Sequence, residues 1–396
     1  MGTSPKVVVV AEFYPRRDDP VLGVWTHRQA LAALQAGAQV RVLVLHRLVP
    51  PRSALRAGPT RMLRASAALA SQPAHEVRDG LQISYVRYVS PPRPGFYGSW
   101  GAWAAPALAL ALRRLRHSFA YELIHAHNCV PAADALRRTH PGVPMVVSVH
   151  GGDVLYTANR GPAAERAVRA GLSAARLVLA NSQGIAEHCQ DLGALQTRVV
   201  HLGSDMPAQR PAREGPPTLV TVAHLVARKR HADVLRALAV LSQRHPTLRY
   251  AIIGEGPERI PLEGLAARLG VADRVDFHGQ LEPEQAIERA RRCTLFVMPS
   301  TEEAFGVAYV EAMASGVPAI GCRGEPGPEE IAAAGDGMLL VPPGDIERLT
   351  QRIGELLVDP EQLRETAARA RATVAANFTW EGCGERTLEV YREALW

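Results

Sequence analysis

Lysine is almost missing from this chain: Lys6 and Lys229 are the only two, so nearly all of its 45 basic residues are arginines. A lysine in such a sequence invites a specific explanation. Aromatics are also sparse, at 5%, which leaves Ala, Leu and Val to build the cores. Cysteine is limited to Cys129, Cys189, Cys293, Cys322 and Cys383. They are far apart and odd in number, with no CxxC and no His/Cys spacing that suggests zinc. Buried free thiols in a reducing cytosol are the default. There is no long hydrophobic run: the longest, at 102–112, falls well short of the roughly 20 apolar residues that a spanning helix needs. The apolar stretch in MGTSPKVVVV is too short for a signal peptide and reads at once as a first strand. The expected location is therefore cytoplasmic, soluble or at the inner face of the membrane. No dense basic tract with interleaved aromatics occurs, so nucleic acid is not an expected partner.

What is present is an ordinary globular balance, 47% hydrophobic and 21% charged, with a formal charge of +6. A modest basic excess suits an anionic membrane surface or a phosphorylated substrate. Short β-rich runs alternate with helical stretches almost from end to end. Strands are expected at 6–11, 39–46, 81–89, 122–127, 144–150, 176–181 and 198–202. After a break they resume at 218–223, 249–254, 274–278, 294–298 and 317–321. Continuous apolar runs such as VVVV and MVVSV belong to parallel strands covered on both faces. Their alternation with helices predicts right-handed βαβ units in doubly wound α/β sheets. The break is MPAQRPAREGPP at 206–217, a Pro-rich linker. The expected organisation is two Rossmann-like domains, 1–206 and 218–376, joined by a linker at 207–217. The helix at 377–396 is expected to pack back towards the first domain. Ligands of such sheets bind beyond the carboxyl ends of the strands, so the site is expected in a central cleft that the two domains face.

One segment departs from the rhythm. Arg52, Arg56, Arg61 and Arg64 stand among Ala and Leu, followed by Phe96, Tyr97, Trp100, Trp103 and the run ALALALRRLRH. Arginine on one side with Trp and Leu on the other suits peripheral membrane contact across 52–117. Core packing with a solvated basic face is the competing reading.

The most informative stretch is PSTEEAFGVAYVEAMASGVPAIG at 299–321. A strand ends, a turn follows with Gly306, and a helix runs from about Val307 to Ser315. The helix start offers N–H groups and partial positive charge, a ready phosphate site. Glu303 and Glu311 flank it. Two carboxylates beside a phosphate-binding amide array make sense if each accepts hydrogen bonds from hydroxyls on either side of a diphosphate.

This stretch resembles the donor motif of the retaining GT-B glycosyltransferases of family four, S-x-x-E-G-F-G-x-x-x-x-E-A-M-A-x-G-x-P. Glu303, and not Glu302, is the first Glu of the motif because its partner lies eight positions on; EAFG replaces the usual EGFG. The resemblance implies that Glu303 contacts the donor sugar near the reacting carbon, that Glu311 holds the ribose, and that the amides of Phe305, Gly306 and Val307 hold the distal phosphate. Three further segments match. TVAHLVARKRHADVLRALA at 221–239 resembles the strand–loop–helix that neutralises the diphosphate, with Lys229 as its lysine and Arg228 beside it. His224 stands where the family most often has Arg. PMVVSVHGGDV at 144–154 resembles the HGxD segment, which implies His150 near the anomeric carbon and Asp153 close by. The loop after the first strand places Gly23 where the family brings a glycine close to donor phosphate and acceptor. Weaker matches put Gly279 at the nucleobase and His127, in ELIHAHN, around the cleft.

The resemblance implies a metal-independent transferase that takes a UDP- or GDP-sugar as donor substrate and needs no cofactor. No DxD occurs to bridge a cation to the diphosphate, so helix amides, Lys229 and Arg228 would take that role. The acceptor is a hydroxyl on a glycan, a lipid-linked molecule or a small metabolite. The alternatives are a sugar-nucleotide epimerase, which would convert donor without an acceptor, and a non-catalytic sugar-nucleotide-binding protein.

Overall fold

The computed structural model describes residues 4–17, 19–50, 54, 58–93, 95–208 and 215–396. Arg52, Arg56 and most of the expected linker lie outside the described residues. The chain divides into two compact units: unit 1 runs to His201 and includes Trp380–Trp396, and unit 2 is Leu202–Thr379.

Among the described residues, unit 1 has eight strands: β1 (Lys6–Ala11), β2 (Gln39–Arg47), β3 (His75–Arg78), β4 (Leu81–Tyr88), β5 (Leu123–His127), β6 (Met145–Val149), β7 (Leu177–Ala180) and β8 (Thr197–Val199). Their order is β3-β4-β2-β1-β5-β6-β7-β8. Every pairing is parallel except β3 with β4. β1 lies between β2 and β5, with Val9 opposite both Val42 and His125. Its four valines are fully buried, which is why VVVV carries no polar alternation. The short antiparallel β3 at the edge is an addition to the expected strands. It forms a hairpin through Asp79 and Gly80, both at positive φ, the turn chemistry that suits an Asp-Gly pair.

The last helix, Trp380–Leu395, packs on Val24–Gln35 within unit 1. The fit is close: a Cβ on Gly384 would lie 2.3 Å from the carbonyl oxygen of Ala32. Gln29 Nε2 also donates to Thr387 Oγ1 at 3.2 Å.

Among its described residues unit 2 has six strands, all parallel: β9 (Thr218–Val222), β10 (Arg249–Ile253), β11 (Val275–Gly279), β12 (Leu295–Val297), β13 (Ala319–Cys322) and β14 (Met338–Val341). The order β11-β10-β9-β12-β13-β14 is that of a six-stranded dinucleotide-binding sheet, with its reversal between β9 and β12. β14 was not among the expected strands. The core of this unit draws on Leu219, Tyr250, Ile252, Leu295 and Ile320 from the sheet and Val234, Leu238 and Ile353 from helices on it.

The 96–103 aromatics do not form one exposed set. Trp100 is buried in unit 1, its Nε1 donating to Tyr88 Oη at 2.8 Å and the Arg93 guanidinium lying 4.1 Å from its ring centre. Trp103 and Phe96 stay exposed. The helix Trp100–Ser118 buries Ala104, Leu108 and Leu112, so one of its faces is core. The helix Pro59–Ser71 buries only Leu69 and exposes Arg61, Met62, Leu63 and Arg64. No helix among the described residues is long and apolar enough to cross a membrane.

Candidate functional site

In unit 2 the candidate residues gather where strand order reverses, at the carboxyl ends of β9 and β12. The loop after β9 carries His224, Arg228 and Lys229; the loop after β12 carries Ser300 to Gly306. The two loops are tied by Thr301 N–H donating to Arg228 O at 2.8 Å.

Glu303 is buried at 7% exposure, an expensive place for a carboxylate unless it is paired. It is paired: Oε2 accepts from Lys229 Nζ and, at 2.9 Å, from Ser300 Oγ. Arg228 stands 4.0 Å from the same oxygen and donates to Glu302 O at 3.3 Å. Burial pushes the Glu303 carboxyl up, but Lys229, Arg228 and Ser300 outweigh it and hold the pKa below the usual carboxylate value. Glu303 is therefore ionised near neutral pH. Glu302, its neighbour, is exposed.

Two partners of Glu303 were not singled out from the sequence. Ser300 was visible as the first residue of the S-x-x-E pattern. Glu325 was not: it is the residue before Pro326, at the start of the helix Pro326–Ala333. Its Oε2 accepts the Glu303 N–H at 2.8 Å. Glu302, just before, is held at φ +54, a conformation that L side chains seldom adopt. Glu325 thus fixes the turn that aims Glu303.

Gly306 precedes the helix Val307–Ala314 at φ +88, and a Cβ there would meet the Tyr309 ring at 2.4 Å. Only glycine fits, and the helix start stays uncovered by any side chain at that point. Phe305 is buried against Phe378, at 5.7 Å between ring centres, which steadies the loop. Glu311 lies on the helix a little over one turn beyond Gly306, half-buried. Gly279 ends β11 with φ +70, and its carbonyl accepts from Gly254 N–H at 2.8 Å. The His224 side chain is exposed, and its carbonyl takes up His231 Nε2 at 3.4 Å.

In unit 1 the corresponding end of the sheet holds a histidine cluster. β5 alternates so that His125 and His127 share a face, and β6 delivers Ser148 and then His150 beside them. His127 Nδ1 and His150 Nε2 are 3.0 Å apart, with the two rings nearly parallel, 14° between planes, and edge to edge at 5.2 Å between centres. His125 is held at both nitrogens, by Tyr391 Oη and by Ser148 Oγ, each at 2.8 Å. Burial pushes His125 and His150 down to about 3 and His127 well below its ordinary value, so all three are neutral at neutral pH.

Asp153 faces inward. Its carboxylate accepts from Asn128 Nδ2 at 3.0 Å and from Val130 N–H at 3.2 Å, anchoring the turn after β5. Gly23 caps the helix Val24–Gln35 at φ +66, where a Cβ would lie 2.2 Å from the Phe13 carbonyl. That contact explains the glycine by close backbone approach within unit 1.

Two family profiles match the chain: Glycosyltransferase Family 4 over residues 22–206 and Glycosyl transferases group 1 over residues 204–373. A D-inositol 3-phosphate glycosyltransferase of Nocardia farcinica is 31% identical over 306 residues, which cover 70% of this chain and 67% of that protein. A GDP-mannose-dependent alpha-(1-6)-phosphatidylinositol monomannoside mannosyltransferase of Mycolicibacterium smegmatis is 31% identical over 181 residues, 44% of this chain and 47% of that one. The match thus spans about half that relative's length. Among solved structures, sucrose-phosphate synthase from Thermosynechococcus elongatus superposes with a TM-score of 0.78 at 20% identity, over 98% of both chains. Anabaena HepE in complex with UDP and glucose superposes with a TM-score of 0.72 at 19% identity, over 98% of this chain and 100% of that one. At these identities the structural likeness is one of fold.

Proposed function

The chain belongs to the family 4 glycosyltransferases and has their GT-B fold, and on that premise we propose that it moves a sugar from a nucleoside-diphosphate sugar to a hydroxyl acceptor, with retention and without a metal ion. The observation that carries the proposal is the buried Lys229–Glu303 pair at the strand-order reversal of unit 2, next to the start of the helix Val307–Ala314. A buried cation and a buried carboxylate beside a helix N-terminus match the three parts of the donor. Amides of Phe305, Gly306 and Val307 take the distal phosphate. Lys229 and Arg228 neutralise the leaving diphosphate. Glu303 accepts hydrogen bonds from sugar hydroxyls, Glu311 holds the ribose, and the backbone at Gly279 meets the base. Lys229 is paired with Glu303; the diphosphate would share that charge.

Glu303 binds and orients the sugar and forms no covalent bond with it. The departing phosphate takes the acceptor proton, so positioning and charge stabilisation supply most of the acceleration. His150, neutral, contributes a hydrogen bond to the sugar. The mannosyltransferase named above is GDP-mannose-dependent and HepE was crystallised with UDP, so both bases belong in a donor screen.

The acceptor is reached through unit 1, and a lipid-linked acceptor fits its charge. Residues 20–121 contain thirteen arginines and only two acidic residues, Glu76 and Asp79. The exposed Arg61, Met62, Leu63 and Arg64 add the mixture of cationic and apolar groups that favours an anionic lipid surface. The test is nucleotide release from UDP- and GDP-sugars, with and without lipid and glycan acceptors, in EDTA. Turnover in EDTA that depends on an acceptor supports the proposal. Donor conversion without acceptor would indicate an epimerase. Activity restored only by magnesium or manganese would refute metal independence. Near-normal transfer in all four of Glu303→Gln, Glu311→Gln, Lys229→Met and His150→Phe would sink the site.

A further inference from the structure

His150, placed above as a hydrogen-bond partner of the sugar, is itself held by another histidine. His127 is fully buried, and its Nδ1 lies 3.0 Å from His150 Nε2. One of these nitrogens must carry the proton, and since both rings are neutral only two arrangements exist. In the first, His127 Nδ1–H donates, so His150 carries its own proton on Nδ1 and His127 Nε2 is a bare lone pair. In the second, His150 Nε2–H donates, so His150 Nδ1 is the lone pair and His127 Nε2 is protonated. The two outer nitrogens always have opposite character.

Both outer nitrogens, His127 Nε2 and His150 Nδ1, are buried and have no hydrogen-bond partner among the described residues. Buried polar atoms without a partner are costly, so each needs an account. His125 offers the contrast: on the same strand, 4.4 Å from His127 between ring centres, it is satisfied at both nitrogens by Ser148 and Tyr391. The fixed His125 ring beside it and the in-plane hydrogen bond to His150 set the plane of His127, and the indole of Trp25 lies 6.1 Å from His150. The plane is thus specified while the proton is not.

We infer that His127 is a positioning residue for His150: through its Nδ1 it holds the His150 ring and sets whether His150 Nδ1 donates or accepts. A sugar hydroxyl, which does both, satisfies either arrangement. An anionic oxygen could be met by only one of the two nitrogens at a time, so the pair favours a neutral polyol face over a phosphate. This inference rests on the role proposed above for His150.

Asparagine and phenylalanine at position 127 separate hydrogen bonding from packing. The Asn amide can replace Nδ1 as donor or acceptor; Phe keeps the ring volume and loses the bond. Both variants, wild type and His150→Phe would be assayed with UDP-glucose, UDP-galactose and GDP-mannose, using whichever donor turns over. His127→Phe is expected to lower kcat about 10- to 100-fold with donor KM within about 3-fold, the size of loss that misplacing a reacting group causes. His127→Asn is expected to recover to within about 5-fold of wild type on the same ground. Independently of activity, 15N spectra of histidine-labelled full chain should show His127 and His150 sharing one proton, with His150 altered in His127→Phe. If His127→Phe keeps wild-type kcat while His150→Phe loses it, the inference is overturned and the donor site is untouched. If His150→Phe keeps wild-type activity, the role of His150 itself fails. Should His127→Phe not fold, the wild-type spectrum decides: two histidines without a shared hydrogen bond overturn the inference.

Discussion

Removing either member of the Lys229–Glu303 pair should destabilise unit 2, and removing both should not. The two side chains are only 11% and 10% exposed, so each single substitution leaves a desolvated charge behind. Breaking a buried pair in this way typically costs about 3–5 kcal/mol, whereas replacing both charges together is often close to neutral. In Lys229→Met the orphaned Glu303 still has Ser300 at 2.9 Å and Arg228 at 4.0 Å, which places the loss at the lower end, about 3 kcal/mol. In the double variant Lys229→Met/Glu303→Gln the stability should return to within about 1 kcal/mol of wild type. Activity should behave differently. Each single variant should lose about 100- to 1000-fold in kcat, as is typical when a charge-stabilising group is removed, and the double variant should regain none of it. The assay is urea unfolding followed by far-UV circular dichroism. All five tryptophans, at positions 25, 100, 103, 380 and 396, fall in unit 1, so indole emission is the internal control. A double variant that recovers activity with stability, or single variants that cost less than about 1 kcal/mol, would refute the assignment of this pair to the donor site.

Acid should weaken unit 1 before it weakens the pair. His125 and His150 have folded pKa values of about 3, His127 lies well below 6.5, and all three sit in one cluster. A depressed histidine pKa contributes stability that is complete above about 6.5 and is lost as pH falls, at about 1.4 kcal/mol per unit for each ring. Burial holds Glu12 and Asp153 above their ordinary values, which pulls the other way. Indole emission should therefore show unit 1 losing stability between pH 6.5 and pH 4.5; a flat profile across that window would refute neutral burial. Gly306→Ala must hold φ +88 against the Tyr309 ring, and should raise donor KM at least about 10-fold while costing about 1–2 kcal/mol. Unchanged donor KM in a titration would count against the phosphate role of this helix start. Glu325→Ala removes the acceptor of the Glu303 amide and should cost about 1–3 kcal/mol with a fall in kcat; full kcat at reduced stability would make Glu325 a structural residue alone.

The fold was legible where burial is complete. VVVV, MVVSV and the apolar runs of β9 and β10 could be placed because both faces of a parallel strand shed their polar residues. β3 and β14 escaped for different reasons. HEVR is a four-residue edge strand whose charged Glu76 and Arg78 share one face and whose exposed Val77 lies on the other, and its only signal was the Asp79–Gly80 turn. MLLV is a short strand between Gly337 and Pro342 and was overshadowed by the turn residues around it. Within the site, Glu303, Gly306 and Lys229 follow from local spacing plus the family resemblance, because a strand–turn–helix is a local object. The partners did not follow. Period-two alternation puts His125 and His127 on one face, but the register of β5 against β6 decides that His125 meets Ser148 and His127 meets His150. Tyr391 comes from a helix 266 residues farther along the chain. Trp100 and Trp103 make the same point within one helix. They are three residues apart and close to the same face, yet Trp100 is core because Tyr88 and Arg93 from other segments receive it. What a side chain can do is written in its type; which proton it holds depends on what faces its other atoms, and those neighbours are set by sheet register and by how distant helices pack.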